Sequence, residues 1–487
     1  MTAFVSWLQH NTAGLLTLAA ISVAVLLLMI IKFKLEPFVA LIVVSLLVAL
    51  AAGLPIAQLV GTPLKSSDSI LEKGFGGILG HIAPIIGLGT VLGAIMERSG
   101  GADALTSRLL RLFGPKGAPL AMGLTGLILG IPVFFDIGIF VLAPLVYVAA
   151  KRGGRSLVLY ALPMLAGLSM THAFLPPHPG PVAAAGLLGV SLGWLILMGL
   201  ICGIPAWLVS GVWWGSFIGN RIQVDVPDEF IAAELEASRD DSTDVEGPEG
   251  PRGSGGTATA VRTRPPSVAL IAMVIAVPML LILSATFGSI VLAPGSIPQS
   301  IVFFLGTPAI ALTVAVLLAM YLLGIRRGMT VSELGRITGE SLKPIGMILL
   351  VVGAGAFFGA VLQATGVGKA LAGSMSAIGL PVIVSAYVIS AALRLAQGSA
   401  TVAIVTTAGI IQPLVAAGGY SQAELALIVI AVSAGSIIAS HVNDGGFWIV
   451  AKYFNMSVKD TLKTWTVLET ILSVVGFAMA GLVWLVV

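Results

Sequence analysis

Charge, cysteine and histidine are all scarce in this chain, and each scarcity closes off a class of protein. Only 10% of the 487 residues are charged while 57% are hydrophobic, so a water-soluble fold would have nowhere to hide its apolar surface. The single cysteine, Cys202, sits in an apolar run and leaves no disulfide framework. No Lys or Arg precedes the first apolar segment, which argues against a cleaved signal peptide. The five histidines include no His-Glu-x-x-His pattern, and no paired catalytic aspartates occur, so the chain is not expected to be an enzyme. A metal site drawn from His172, His178, His441 and Asp444 lacks any close ligand pair with metal-site spacing. Neither metal nor cofactor is expected, and the net charge of +3 reflects loops rather than a face for nucleic acid.

What the chain does have is apolar runs of about 20 residues, each long enough to cross a bilayer. They are continuous rather than alternating, which excludes a β-barrel and gives an all-α polytopic membrane protein. Spans are expected near 14–31, 35–53, 77–96, 156–185 and 192–219, then near 268–288, 300–323, 340–363, 421–455 and 462–486. Two further stretches, 118–150 and 380–417, carry polar or helix-breaking residues mid-way. They are read as re-entrant hairpins with tips at Pro132-Val133-Phe134-Phe135-Asp136 and Gln397-Gly398-Ser399-Ala400-Thr401; two ordinary spans joined by a tight loop is the alternative.

The chain also writes one pattern twice. Thr171-His172-Ala173-Phe174-Leu175-Pro176-Pro177-His178-Pro179-Gly180-Pro181 interrupts one span, and Ser440-His441-Val442-Asn443-Asp444-Gly445-Gly446 interrupts another. His172 and His441 are 269 residues apart, as are Pro144 and Pro413, and Gly93-Ala94 and Gly359-Ala360 match at a spacing of 266. Five crossings per half make the halves an inverted repeat, and matching interruptions point to a transporter's binding site. With this topology 21 of the 25 Lys and Arg residues fall on one face, leaving Lys65, Lys73 and Lys369 on the other and Arg394 inside the second hairpin. The positive-inside rule then puts both termini outside and the centre of the chain in the cytoplasm.

The domains expected are a first membrane repeat over 1–220, a flexible acidic linker over 221–266 and a second membrane repeat over 267–487. The linker holds ten acids and a Gly-Pro-Arg-Gly-Ser-Gly-Gly stretch, too few apolar groups to offset the entropy of ordering. Residues 102–113 form an amphipathic segment with Leu105, Leu109 and Leu112 opposite Arg108 and Arg111, as in an interfacial helix. Residues 367–379 occupy the matching place in the second half.

Backbone that leaves helical geometry inside a bilayer must be buried or line a wet cavity. Pro176, Pro177, Pro179 and Pro181 donate no N–H, and Gly445-Gly446 loosens the chain. Two tips and two broken helices can therefore converge near the midplane, where free helix N-termini favour a carboxylate. Thr171, Ser399, Thr401 and Asn443 would add groups suited to hydroxyls. Asp136, Asp444 and Arg394 are the clearest charges at membrane depth. Asp136 and Arg394 either pair structurally or serve as proton carrier and anion field, with Asp444 a second carrier candidate. Glu97 and Glu469 lie nearer span ends and read as interfacial. His172 and His441 are candidates for the central cavity by their matched positions.

The two interruptions, together with Ala396-Gln397-Gly398-Ser399-Ala400-Thr401-Val402-Ala403, resemble the gluconate permease (GntP) family over most of residues 35–487, the linker excluded. The resemblance implies a bacterial inner-membrane proton symporter for gluconate or a related sugar acid, with glycerate and D-serine as alternatives and sodium coupling as the rival to protons. It further implies an ion-transporter fold with paired hairpins, usually dimeric, that moves substrate by an elevator-like shift. The expected partners are thus a small carboxylate, protons, the lipid bilayer and a second copy of the chain. The substrate site would comprise Thr171, His172, His178, Arg394, Gln397, Gly398, Ser399, Thr401, His441 and Asn443, with Asp136 and Asp444 coupling the proton. A channel is the competing function, but inverted halves with matching breaks suit alternating access better.

Overall fold

The computed structural model describes residues 7, 11–62, 66, 68–227, 266–343, 345–367, 370, 381–441 and 444–487. No β-strand occurs among the described residues. The linker from 228 to 265, Lys65, Lys369, Asn443 and nearly all of 367–379 lie outside them.

The first half begins with α1 (Thr12–Ile31), α2 (Pro37–Ala51) and the short α3 (Ile56–Val60). A long α4 (Ile70–Arg98) follows, then α5 (Gly101–Gly130), α6 (Phe135–Gly153), α7 (Leu157–Phe174), α8 (Pro179–Leu188) and α9 (Leu192–Gly219). The second half runs through α10 (Val268–Val291), α11 (Ile297–Gly306), α12 (Pro308–Arg327) and a surface helix, α13 (Val331–Leu342). It continues with α14 (Ile345–Ala364), α15 (Val382–Gln397), α16 (Ala400–Gly418), α17 (Gln422–Ile437), α18 (Gly445–Tyr453) and α19 (Val458–Trp484).

The order is the same in both halves from α4 and from α14 onward. A long helix leads to a helix–tip–helix unit, a broken helix and a closing helix. The helices just before the breaks, α7 and α17, form the centre: nearly every residue of each is buried, as expected of helices that are apolar all round. α1, α10, α11 and α12 instead turn Ile21, Leu280, Phe304 and Leu317 outward, the surface a lipid-facing helix needs. Cys202 is wholly buried in α9.

Ten helices among the described residues are long and apolar enough to cross a bilayer, but they are not quite the ten expected. The span at 35–53 is the 15-residue α2, rising only about 22 Å. The span at 421–455 is two short helices, α17 and α18, parted by the break. Gly101–Gly130 and Ala400–Gly418 have crossing length instead. The span expected at 340–363 starts at Ile345, because 331–342 forms the separate α13. Within α5 the amphipathic segment is set off by Gly114 at φ 64°, a left-handed conformation that a residue with a Cβ rarely adopts.

Candidate functional site

The two tips take shape from residues that cannot continue a helix. α5 stops at Gly130, and Pro132 occupies the turn before α6 begins at Phe135. α15 stops at Gly398 with φ 81°, and Ser399 caps α16 by accepting from the Val402 amide. The first break runs from Leu175 to His178 and includes a cis bond between Pro176 and Pro177. The second runs from Ile438 to Asp444, which caps α18 by accepting from the Gly446 amide at 3.0 Å.

Close packing seats the first unit. A Cβ on Gly126 would sit 2.2 Å from the Met164 carbonyl oxygen of α7, and one on Gly93 of α4 would sit 2.2 Å from the Pro132 carbonyl oxygen at the tip. Only glycine permits either approach. Thr171 is fully buried, and its hydroxyl donates within its own helix to Gly167 and Leu168. His178 is buried too, and its Nε2–H donates to the Gly130 carbonyl at 2.6 Å, tying the break to the tip. Its ring lies edge-on to His172 at 4.9 Å and tilted on Phe134 at 5.8 Å.

The second tip is tied by charge. The Arg394 guanidinium, 4% exposed, donates to the Gly398 carbonyl and to Asp444 Oδ2. The Ser440 hydroxyl donates to the same carboxylate oxygen, and Ser440 in turn accepts from Trp465 Nε1 at 2.8 Å. Trp465 stacks on Phe135 of the first unit at 5.4 Å between centroids. A continuous chain of contacts thus joins Phe135, Trp465, Ser440, Asp444, Arg394 and Gly398, crossing from one half to the other.

These elements enclose a cavity of about 720 Å³. Its wall takes Pro132 to Asp136 from the first tip, His172 and Pro179 from the helices on either side of the first break, Gly398 to Thr401 from the second tip, and Asp444 with Gly445 and Gly446 from the end of the second break and the start of α18. The N-termini of α6, α8, α16 and α18 all contribute. The wall therefore brings together Asp136, His172, Arg394, Gly398, Ser399, Thr401 and Asp444. Thr171, His178 and His441 are not among its residues; His441 is half-buried, and its carbonyl accepts from the Asp444 amide at 2.8 Å. Asn443 and the side chain of Gln397 lie outside the described residues.

Arg394 pairs with Asp444 and not with Asp136, which corrects the structural pairing read from sequence. Glu469 corrects the sequence reading: it is 2% exposed in the cavity wall, not interfacial. Ser169 donates to its Oε2 at 3.0 Å. Position along the apolar run suggested a span end, yet α19 starts at Val458 and carries a wider π-helical turn over Leu462–Thr466. That turn aims Trp465 and Glu469 at the cavity. The one charged residue in the apolar run from 467 to 484 was the available signal.

The comparisons agree with this architecture. Residues 14–487 match the family described as GntP family permease. The chain is 41% identical to the inner membrane permease YgbN of Escherichia coli K12, over 98% of this chain and 100% of that one. It is 37% identical to a gluconate permease of Pseudomonas aeruginosa, with 98% and 99% covered. The crystal structure of the Alcanivorax borkumensis YdaH transporter matches in fold, with a TM-score of 0.60 over 93% of this chain and 98% of that one at 15% identity. With helices enough for a multi-pass membrane protein and near-complete coverage of its relatives, the chain belongs to the GntP family of permeases.

Proposed function

We propose that this permease takes up gluconate, or a related small hydroxy-carboxylate, together with protons across a bacterial inner membrane. The relatives named for gluconate supply the substrate. The observation that carries the coupling is the charge of the cavity wall: among the described residues, Glu97, Asp136, Glu340, Asp444 and Glu469 stand against only Arg98 and Arg394. An organic anion entering such a wall adds a like charge at membrane depth, and protons bound with it offset that charge.

The carboxylate is held at the N-termini of α16 and α18, whose free amides and dipoles favour an anion. Ser399 and Thr401 meet hydroxyls. Arg394 acts on the substrate mainly by shaping the tip, because its charge is answered by Asp444. His172 faces the sugar-acid chain, while His178 holds the first tip in place. In this reading both helix–tip–helix units enter and leave on one face, and the basic face is cytoplasmic. Arg98 ends α4 at the cavity, so the cavity opens inward. Both termini lie outside, the linker is cytoplasmic, and two copies pair in the membrane.

The test is uptake by purified protein in liposomes under an inward proton gradient without sodium, using labelled gluconate, glycerate, a uronate and D-serine. Concentrative gluconate uptake abolished by an uncoupler is expected. Uptake that needs sodium overturns the coupling, and uptake of D-serine alone overturns the substrate. Asp444→Asn and His172→Ala should each impair transport while the protein still inserts.

A further inference from the structure

We propose that Glu469, rather than either aspartate of the cavity, is the residue that carries the coupled proton; this rests on the proton-coupled reading above. The five acids of the wall differ in how their charge is met. Asp444 receives Arg394, the Ser440 hydroxyl and the Gly446 amide, three donors that suit a permanent carboxylate. Asp136 is exposed to the open cavity at the start of α6 rather than sealed from it. Glu340 is exposed and paired with Arg336 at 3.2 Å. Glu97 sits beside Arg98 at the end of α4.

Glu469 alone is sealed. Its Oε2 accepts from a neutral hydroxyl, and its Oε1 is buried with no hydrogen-bond partner among the described residues. An ionised carboxylate with a bare oxygen in such a place is costly, whereas the neutral acid is tolerated. The groups around it reinforce the point. His172 comes from α7, Arg394 from α15, Asp444 from the second break and Asp136 from α6, and all share the cavity wall with it. Tyr387 of α15 bonds Ser473 one turn further along α19 at 3.0 Å, while Lys459 and Lys463 are exposed at the start of α19. Of the two wall cations among the described residues, Arg394 is already engaged by Asp444, and Arg98 ends α4 beside Glu97.

Placement gives the proton an effect on the substrate site. Glu469 lies one helical turn from Trp465, which holds Ser440 and through it Asp444. A proton taken from the outer solution neutralises Glu469 while the anion is loaded. Its release to the inner solution restores a negative charge behind the Asp444–Arg394 pair and favours departure of the anion. No bond other than O–H forms or breaks, and the proton is conserved from one side to the other.

The experiment compares the wild type with Glu469→Gln and Glu469→Asp in liposomes, reading gradient-driven gluconate uptake and gluconate counterflow across a pH series. For Glu469→Gln, loss of concentrative uptake with retained, pH-independent counterflow is expected. Glu469→Asp should keep coupled uptake with a displaced pH profile. Wild-type concentrative uptake by Glu469→Gln overturns the assignment, as does loss of counterflow together with uptake in folded protein. A second readout needs no substrate: the infrared band of a protonated carboxyl that disappears as pH rises should be present in wild type and missing in Glu469→Gln. Its persistence in the variant overturns the proposal. If wild type moves none of the acids, the transport reading fails separately from this spectroscopic result.

Discussion

The two halves of this permease solve one problem with different chemistry. Each must hold a non-helical tip against a broken helix. In the first half, His178 reaches from the break to the Gly130 carbonyl, among prolines and aromatic rings. In the second, Arg394 grips both the Gly398 carbonyl and Asp444. The first solution is neutral and stiff, with Pro179 and Pro181 removing two of the amides that α8 would otherwise offer to a ligand. The second is charged and rich in hydroxyls, with open amides at α16 and α18. In the proposed reading the two halves divide their labour: the first forms a wall and the second receives the anion.

That division can be broken most severely at Arg394. Arg394→Ala strands a half-buried carboxylate and frees the second tip, so a loss of about 3 kcal/mol and of all transport is expected. Thermal unfolding in detergent and liposome uptake would show it, and a melting temperature like that of wild type would refute the idea that charge ties the second tip. Next comes the pair Gly93→Ala and Gly359→Ala. At Gly93 the added methyl meets the tip carbonyl at 2.2 Å, whereas at Gly359 it meets the Gly409 oxygen at 2.9 Å. The first should cost more, within an overpacking range of about 1–3 kcal/mol, and equal melting temperatures would mean that α4 seats the first tip no more tightly than α14 seats α16. His178→Ala leaves the Gly130 carbonyl without its donor and should cost about 1–3 kcal/mol. It should remain milder than Arg394→Ala in the same melting experiment, since no charge is stranded. Smallest is Ser399→Ala, which removes the cap of α16. Its hydrogen bond is long, at 3.4 Å, so about 0.5–1 kcal/mol and a raised KM with little change in maximal rate are expected.

The sequence exposes these breaks because proline and glycine act locally, and a helix interrupted inside an apolar run is visible without any tertiary information. Gly398 stops α15 and Pro176-Pro177 follow the end of α7, as their chemistry says, whereas Gly445-Gly446 open α18 and the second break falls before them, from Ile438 to Asp444. Pairing was less legible. Arg394 could have answered Asp136 or Asp444, and only the path of the chain decides between residues 50 and 258 positions away. Glu469 was misplaced for a related reason: helix start and rotation, including the π-helical turn at Leu462–Thr466, decide which face meets the cavity. His178 reads as a substrate group because it lies in the same motif as His172; in the structure His172 lines the cavity and His178 donates to the Gly130 carbonyl. Periodicity cannot separate two such neighbours once the helix between them is broken.

Cys202 has a practical consequence. It is the only thiol in the chain and is wholly sealed within α9, where a water-soluble alkylating reagent cannot reach it. The native protein is therefore already a blank background for thiol labelling. A cysteine introduced at Ser399 or at Gly445 would be the one reactive thiol in the molecule. Its labelling from one side of the membrane and then the other would report, without further engineering, which solution the cavity faces at each stage of transport.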